Sequence, residues 1–268
     1  MEQESGAWIR SISRSLAVLR VVNRAGALSM GEISQAARVP YPTACRIVQT
    51  LVLEGMLERE PGRKRYRPTV LVKSLSHGYQ DHSGLTDLAR PHIVELTREQ
   101  LWPVSLCTRV GQMMIVRDCT HAISPMALSN YYPGATFPLL ECASGHVYLA
   151  YADAEEREQL LEGAEASEFE IDPLTLRLFA SGSMAADIRA EGYAARGRNL
   201  FTNTPGRTSS IAAPIFRDGR VCAALTMVYF AGAMTMREAA DRYAPGLCAA
   251  AARISDELSR SEVAQYAA

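Results

Sequence analysis

Two clusters in this chain bring together residues able to do chemistry. Arg63, Lys64, Arg65 and Arg67 fall within "RKRYR", a density of positive charge that suits phosphate oxygens. Cys142, Ser144 and His146 alternate along "CASGH", a thiol, a hydroxyl and an imidazole of the kinds that make a nucleophile and its base.

The second cluster fails on spacing. Side chains two apart on a helix do not face each other, no GxSxG elbow is present, and no acid is placed to orient the histidine. The other histidines, His77, His82, His92 and His121, show no HExxH or facial-triad spacing and read as surface or capping residues. Cys45, Cys107, Cys119, Cys142, Cys222 and Cys248 include no CxxC pair and no histidine at ligand spacing, so neither a metal site nor a disulfide framework is expected. With no P-loop and no GxGxxG after a strand, the reading is a protein that is not an enzyme and needs no cofactor.

The basic cluster gains its meaning from the elements that must carry it. Ser29, with Glu32 three residues on, forms the capping-box pattern of a helix whose apolar positions are Ile33, Ala36 and Ala37. "ARVPYP" breaks that helix, and Pro42 suits the first turn of a second. Along the second, Ala44, Ile47, Val48, Leu51 and Val52 make one apolar stripe, leaving Tyr41, Thr43, Arg46, Gln49 and Thr50 for other faces, with Gly55 as the stop. "MLERE" and "KRYRPT" then read as two strands around "PGRK". Taken alone, such a charged tip is a solvated hairpin. Following directly on a helix of this kind, it is the basic wing of a winged helix-turn-helix, and DNA is the expected partner. An earlier helix in "SISRSLAVLRVVNRAG", with Ile12, Leu16, Leu19 and Val22 on one face, supports the pair.

At 268 residues, 48% hydrophobic and 21% charged, the chain has room for two folded domains. Its charge is polarised: of 28 Lys and Arg and 29 Asp and Glu, 12 and 6 fall in residues 1–80, leaving 16 against 23 in the rest. A basic module for nucleic acid joined to an acidic module that avoids it fits this split. No apolar run reaches the roughly 18 to 20 residues that span a bilayer, and "MEQESGAWIR" lacks the order of a signal peptide; a cytoplasmic location without membrane contact is expected. The expected boundaries are a winged helix over 1–69, a linker helix over 70–83 and a second domain over 84–268. In that second domain "TDLARPHIVELTREQL" reads as a helix and "PVSLCTRVGQMMIVRDC" as two strands turning near Gly111. "IAAPIFRDGRVCAALTMVYF" is a hairpin turning at Asp218-Gly219. Helices are expected from Ala143, from Ala154, from Pro173 to Gly192 and from after Thr235 to Arg260. The fold class is α+β, with an antiparallel sheet flanked by helices.

The order and spacing of "SISRSLAVLRVV", "GEISQAARVPYPTACRIVQTLVLEGMLERE", "FPLLECASGHVYLAY", "IRAEGYAARG" and "SSIAAPIFRDGRVCAALTMVY" resemble the IclR family of bacterial transcriptional regulators over nearly the whole chain. The resemblance implies a winged helix, a linker helix and a C-terminal GAF-like domain that binds a small organic acid, assembled as a homodimer or a dimer of dimers. "WPVSLCT", "RAEGY" and "MVYFAGAMTMREAADRYAPGL" are similar to the subgroup that activates 3-hydroxyphenylpropionate catabolism. A branch sensing protocatechuate or 4-hydroxybenzoate shares most of these features. On this reading two winged helices dock on a pseudo-palindromic operator. Thr43, Arg46 and Thr50 lie nearest the bases, Pro42 sets the angle, Ala44 leaves room, and Arg63, Lys64, Arg65 and Tyr66 hold phosphates or a minor groove.

The family's ligand positions carry over to Gly145 and His146 in the loop that opens the central helix, and to Ser210, Thr226 and Val228 on the facing strands. Val228 departs from the polar residue of small-keto-acid sensors, which favours a larger, partly apolar effector. Arg198 is the expected carboxylate partner, with Arg196 and Arg207 behind it, while Trp102 and Tyr148 are assigned to core packing. The competing reading is a GAF-like protein whose N-terminal domain contacts other proteins and not DNA.

Overall fold

The computed structural model describes residues 9–76, 84–127, 131–165, 171–202 and 205–266. The chain forms two compact units, Met1–Gln80 and Asp81–Ala268.

In the first unit α1 (Arg10–Ala25) is followed by a short strand β1 (Leu28–Ser29), α2 (Met30–Ala36), α3 (Tyr41–Leu53), β2 (Leu57–Arg59) and β3 (Arg65–Pro68). The capping box forms as its residue types dictate: Ser29 Oγ accepts from the Glu32 amide, and Glu32 accepts from the Ser29 amide at 2.7 Å. Those contacts, with Arg65 beside them, hold the Glu32 carboxyl below the usual range. Between α2 and α3 the backbone turns through Arg38 at φ 52°, closed by Ser34 Oγ donating to the Val39 carbonyl. Pro42 sits in the first turn of α3. β3 lies between β2 and β1 in a three-stranded antiparallel sheet, so the wing has a third strand that two residues are too few to announce.

The core of this unit is Val18, Val22, Ile33, Val39, Ala44, Val48 and Leu57. The buried face of α1 runs through Val18 and Val22, with Leu19 packed beside them, whereas Ile12 and Leu16 are exposed, so the expected stripe is turned by part of a helical turn. Val52 is likewise exposed at the end of α3. Val70–Ser76 winds as a 3-10 helix, and the rest of the expected linker, 77–83, lies outside the described residues.

The second unit contains α4 (Leu85–Gln100), β4 (Val104–Val110), β5 (Met113–Cys119), β6 (Thr136–Pro138), α5 (Ala143–Tyr151), α6 (Ala154–Glu165), α7 (Pro173–Ala180), α8 (Ser183–Glu191), β7 (Ala194–Arg196), β8 (Thr208–Arg217), β9 (Arg220–Phe230) and α9 (Met236–Tyr266). The strands form one antiparallel sheet in the order β6-β5-β4-β9-β8-β7. Both expected hairpins form. The helix expected from Pro173 to Gly192 is two helices instead, because Gly182, at φ 78°, breaks the helical path ahead of α8.

Period-two alternation assigns each strand residue to a layer. Leu225, Met227 and Tyr229 of β9, Ile211, Ala213 and Ile215 of β8, and Val104 and Leu106 of β4 pack on α4 and α9. Cys107, Ala212 and Ala224 face the other way, into the layer of α5, α7 and α8. The residues that share this second face, Ser105, Ser210, Thr226 and Val228, are less apolar, and there the packing opens. Every residue of α5 from Ala143 to Ala150 is buried, so this helix runs through the core. Gly145 permits that: a Cβ there would stand 1.8 Å from the Leu139 carbonyl oxygen. Among the described residues no helix is long and apolar enough to cross a membrane.

Candidate functional site

On the winged helix, α3 presents Pro42, Arg46, Gln49 and Thr50 outward, with Thr43 partly exposed. Thr50 Oγ1 donates to the Arg46 carbonyl at 3.0 Å, which leaves its oxygen lone pairs available. Ala44 is not on this surface. It is fully buried with Val48, one turn on, against α1, so its small size serves helix packing and not approach by DNA.

The wing divides in the same way. Arg63 and Lys64 are exposed at the tip and have no carboxylate partner among the described residues. Arg65 forks onto the Glu32 carboxylate, at 2.9 and 3.1 Å, and Arg67 pairs with Glu58 at 2.7 Å. The Tyr66 ring packs against the core of the unit, at a strand position opposite Leu28 and Arg59, and does not extend toward a groove. Of the basic residues expected to meet DNA, Arg46, Arg63 and Lys64 are thus the ones without a carboxylate partner among the described residues, while Arg65 joins the wing to the capping box of α2.

In the second unit a cavity with about 330 Å³ not filled by atoms lies between the inner sheet face and the start of α5. β4 contributes Ser105 and Cys107, β9 contributes Thr226 and Val228, and β8 contributes Ser210. Ser105 stands opposite Thr226, and Ser210 opposite Val228, in the ladders. Tyr131 and Phe137 stack at 5.5 Å between centroids and form an aromatic wall. The floor is Cys142, the N-cap of α5, with Ala143 and Ser144, its first residues; the Cys142 side chain makes no cap hydrogen bond. The positive end of the α5 dipole thus borders the cavity.

Its polar groups are incompletely bonded. Ser105 is 1% and Thr226 7% exposed, and neither hydroxyl has a hydrogen-bond partner, although Thr226 lies beside the Cys107 thiol. A buried polar group left unpaired costs about 1 to 3 kcal/mol, so two such groups facing one space are unusual in a site with only a packing role. The space open to the centre of a water molecule is about 20 Å³, roughly one water, and a larger guest requires the walls to part.

The positions expected to hold effector divide accordingly. Ser210, Thr226 and Val228 line the cavity; Gly145, His146 and Arg198 do not. Gly145 is spent on the close approach to Leu139. His146 turns away, with Nε2 2.8 Å from the Leu140 carbonyl oxygen and its ring edge-on to Phe179 at 5.3 Å; burial pushes its pKa down to about 4. Arg198 is exposed, with φ 46° and its amide donating to Ser209 Oγ, and lies in a separate recess with Arg207 and Phe230. The chain turns here so that the next residue, Asn199, points inward. Arg196 is paired with the buried Glu141 carboxylate. Trp102 packs edge-on against Tyr229 and Phe230 and donates to Tyr243, and Tyr148 donates to Glu156; both are packing residues. Ser105, Cys107, Tyr131, Phe137 and Asn199 do not stand out in the sequence, where no local pattern separates them from other strand and loop residues.

The same geometry disposes of the nucleophile reading. Ser144 Oγ donates to Cys142 Sγ at 3.3 Å, and burial pushes the Cys142 thiol up to about 11 and the Cys107 thiol up to about 12. Protonated thiols with an imidazole turned away are poor nucleophiles. All six cysteines are free, and among the described residues no group of His, Cys, Asp and Glu is placed to hold a metal ion. His121 and His92 are not the surface residues expected: His121 is buried against Tyr131, and His92 meets Glu257 at 3.1 Å. His77 and His82 lie outside the described residues.

A winged helix on the same chain as an α+β unit with a small-molecule cavity is the build of a bacterial one-component transcriptional regulator. Residues 11–61 match the IclR helix-turn-helix domain and residues 77–256 match the C-terminal domain of bacterial transcriptional regulators of the IclR type; the chain belongs to the IclR family. It is similar to the HTH-type transcriptional regulator TsaQ1/TsaQ2 of Comamonas testosteroni, 26% identical over 60% of this chain, a match spanning 59% of that protein, less than two thirds of its length. It is also similar to the HTH-type transcriptional regulator XynR of Escherichia coli K12, 26% identical over 82% of this chain and 85% of that one. Its fold is that of the Thermotoga maritima IclR, with a TM-score of 0.64 at 21% identity over 93% of this chain and 98% of that one. An IclR homolog from Microbacterium hydrocarbonoxydans, solved in complex with 4-hydroxybenzoate, gives 0.64 at 23% identity over 94% and 99%.

Proposed function

We propose that this regulator binds operator DNA through Arg46, Thr43 and Thr50 of α3 and Arg63 and Lys64 of the wing, and that its effector is an aromatic carboxylic acid of the phenylpropionate type. The observation that carries the effector reading is the cavity in which the unpaired hydroxyls of Ser105 and Thr226 face the uncapped start of α5 beside the Tyr131–Phe137 wall. A carboxylate at a helix N-terminus gains about 0.3 to 1 kcal/mol from the dipole, up to ~2 when partly buried, and the stacked rings offer a flat apolar face for a ring. No arginine is required, and none lines the cavity among the described residues. Hydroxybenzoates share this chemistry, as the 4-hydroxybenzoate held by the Microbacterium homolog suggests. A small keto acid is disfavoured by the apolar Val228 and the aromatic wall.

The exposed Ile9, Ile12 and Leu16 share one face of α1, which suits contact with a second copy of the chain and the two-fold docking of a dimer on a pseudo-palindrome. Effector binding then shifts the balance between dimer arrangements only as far as its affinity differs between them.

The effector reading is tested by a thermal-shift screen of the full chain against phenylpropionates, hydroxybenzoates, pyruvate and glyoxylate. Ligand at 100 times its Kd stabilises the protein by about 2.7 kcal/mol, a midpoint rise of roughly 5 to 10 °C for a domain of this size. Thr226→Val keeps the shape and removes the unpaired hydroxyl; it is expected to raise the ligand-free midpoint by about 2 °C or more and to weaken an aromatic acid about tenfold. A response confined to pyruvate or glyoxylate, or an aromatic acid bound equally by both proteins, overturns the assignment.

For the DNA face, Arg63→Ala and Lys64→Ala are expected to weaken binding about equally on every sequence, each lowering the slope of log affinity against log salt by about 1. Arg46→Ala should instead relax base preference, by about 1 to 3 kcal/mol at the position it reads. Gel-shift titrations at several salt concentrations on operator and scrambled DNA check both; binding indifferent to all three changes rules this docking out.

A further inference from the structure

A second space adjoins the cavity, sharing Tyr131 and Val228 with it and bounded further by His121, Thr208 and Tyr229. His121 is the odd residue there. It is 9% exposed, it stacks face to face on Tyr131 at 4.7 Å and 14°, and neither of its ring nitrogens has a hydrogen-bond partner. An imidazole has both a donor and an acceptor to satisfy when neutral. Here both are buried and unpaired. A histidine serving only as a stacking partner is replaceable by phenylalanine or tyrosine without that cost. The ring is therefore set for a partner absent from the ligand-free protein.

Geometry indicates which partner. The carboxylate end of an effector belongs at the start of α5, and Tyr131 stands between that cavity and His121, touching both spaces. If the Tyr131 side chain swings aside and leaves Phe137 as the wall, the two spaces join and the far edge of a guest reaches the imidazole. A hydroxyl can donate to the unprotonated ring nitrogen or accept from the N–H of the other, and so supplies one of the two bonds that His121 lacks.

Resting on the effector reading above, we infer that His121 is a specificity-determining residue that recognises a hydroxyl on the ring of an aromatic acid, at the end remote from its carboxylate. A site built to bond a hydroxyl rejects the analogue lacking it, because its own polar groups then stay buried and unpaired.

The experiment is isothermal titration of the full chain with 3-(3-hydroxyphenyl)propionate against 3-phenylpropionate, and with 4-hydroxybenzoate against benzoate. It is done on the wild type and on His121→Phe, which keeps the stack on Tyr131 and removes both nitrogens. His121→Gln, which keeps a donor and an acceptor, guards against misfolding of the first variant. The wild type is expected to bind the hydroxylated member of at least one pair tenfold or more tighter. His121→Phe should reduce that ratio to within about twofold by losing affinity for the hydroxylated acid alone, and His121→Gln should restore part of it. Equal affinity of the wild type within both pairs, or a ratio unchanged in His121→Phe, overturns the role of His121 while leaving the aromatic-acid reading intact. No binding of any aromatic acid by the wild type overturns that reading and this one with it.

Discussion

Lowering the pH from 7 to 4 is expected to remove on the order of 6 kcal/mol from the stability of the C-terminal unit, about half through each of two buried histidines. Burial pushes His121 and His146 from 6.5 down to about 4, for His146 against the opposing pull of its bond to the Leu140 carbonyl. Between pH 6.5 and 4 the unfolded chain binds a proton at each site and the native protein does not, so stability falls as pH falls through that window. At about 1.4 kcal/mol for each tenfold difference in proton affinity, each imidazole contributes roughly 3 kcal/mol by pH 4, below which the loss levels off. Asp172 and Glu238 are held below their usual values by hydrogen bonds, and the stability they add is lost as pH falls through and below the ordinary carboxyl range, from the foot of the histidine window downward. Urea unfolding at several pH values checks this. His121→Phe, and His146→Gln with its amide in place of the donor to the Leu140 carbonyl, should each flatten the profile between pH 6.5 and 4 by about half. A profile that keeps its slope in both variants assigns the acid sensitivity to other groups.

Gly145→Ala is expected to destabilise the same unit by at least about 3 kcal/mol, a midpoint loss of roughly 6 to 12 °C, with no effector present. The added Cβ would meet the Leu139 carbonyl oxygen at 1.8 Å, its carbon at 2.6 Å and its Cα at 2.9 Å. These are backbone atoms of the 3-10 turn Leu139–Glu141, which the Arg196–Glu141 pair and the Glu141 bond to the Asp172 amide hold in place, so the strain has no flexible side chain to absorb it. Gly232→Ala, where nothing lies within 4 Å, is the control and should leave the midpoint within about 2 °C. A residue whose only task is to touch effector behaves otherwise: its substitution leaves the ligand-free protein unchanged and moves only the response to ligand. If Gly145→Ala does that, the glycine belongs to the cavity after all and not to the helix packing.

Gly145 and His146 have an importance that is legible in the sequence and a role that is not, whereas His121 reads there as a surface or capping residue and is buried. The order of elements in the winged helix follows from local chemistry, since Ser29 and Glu32 form the capping box, Pro42 occupies the first turn of α3 and Gly55 follows its end at φ 73°. The Asp218-Gly219 turn likewise sets the register of β8 and β9. Each of these signals acts over a few residues and depends on backbone geometry that side-chain type dictates. Alternation along β9 also separates Thr226 and Val228 from Leu225 and Met227 by period alone.

Tertiary structure decided which face of each element met which neighbour. Ala44 and Tyr66 face the winged-helix core because α1 and β2 lie there, and Arg65 is committed to Glu32, 33 positions away. Ser105 reaches Thr226 only through the β4–β9 pairing, a contact across more than a hundred residues that no local period encodes. Arg198 points outward and Asn199 inward because a turn has no repeat from which side-chain direction follows, and His121 is buried because Tyr131 returns to cover it. The caps, breaks and hairpin turns at Ser29, Pro42, Gly55 and Asp218-Gly219 are written in this sequence, since hydrogen bonding and sterics between near neighbours settle them, whereas the short strands β1, β6 and β7 exist only through their partners. Convergence of side chains on one cavity was left to long-range packing, because it depends on distances between elements and not on order within them.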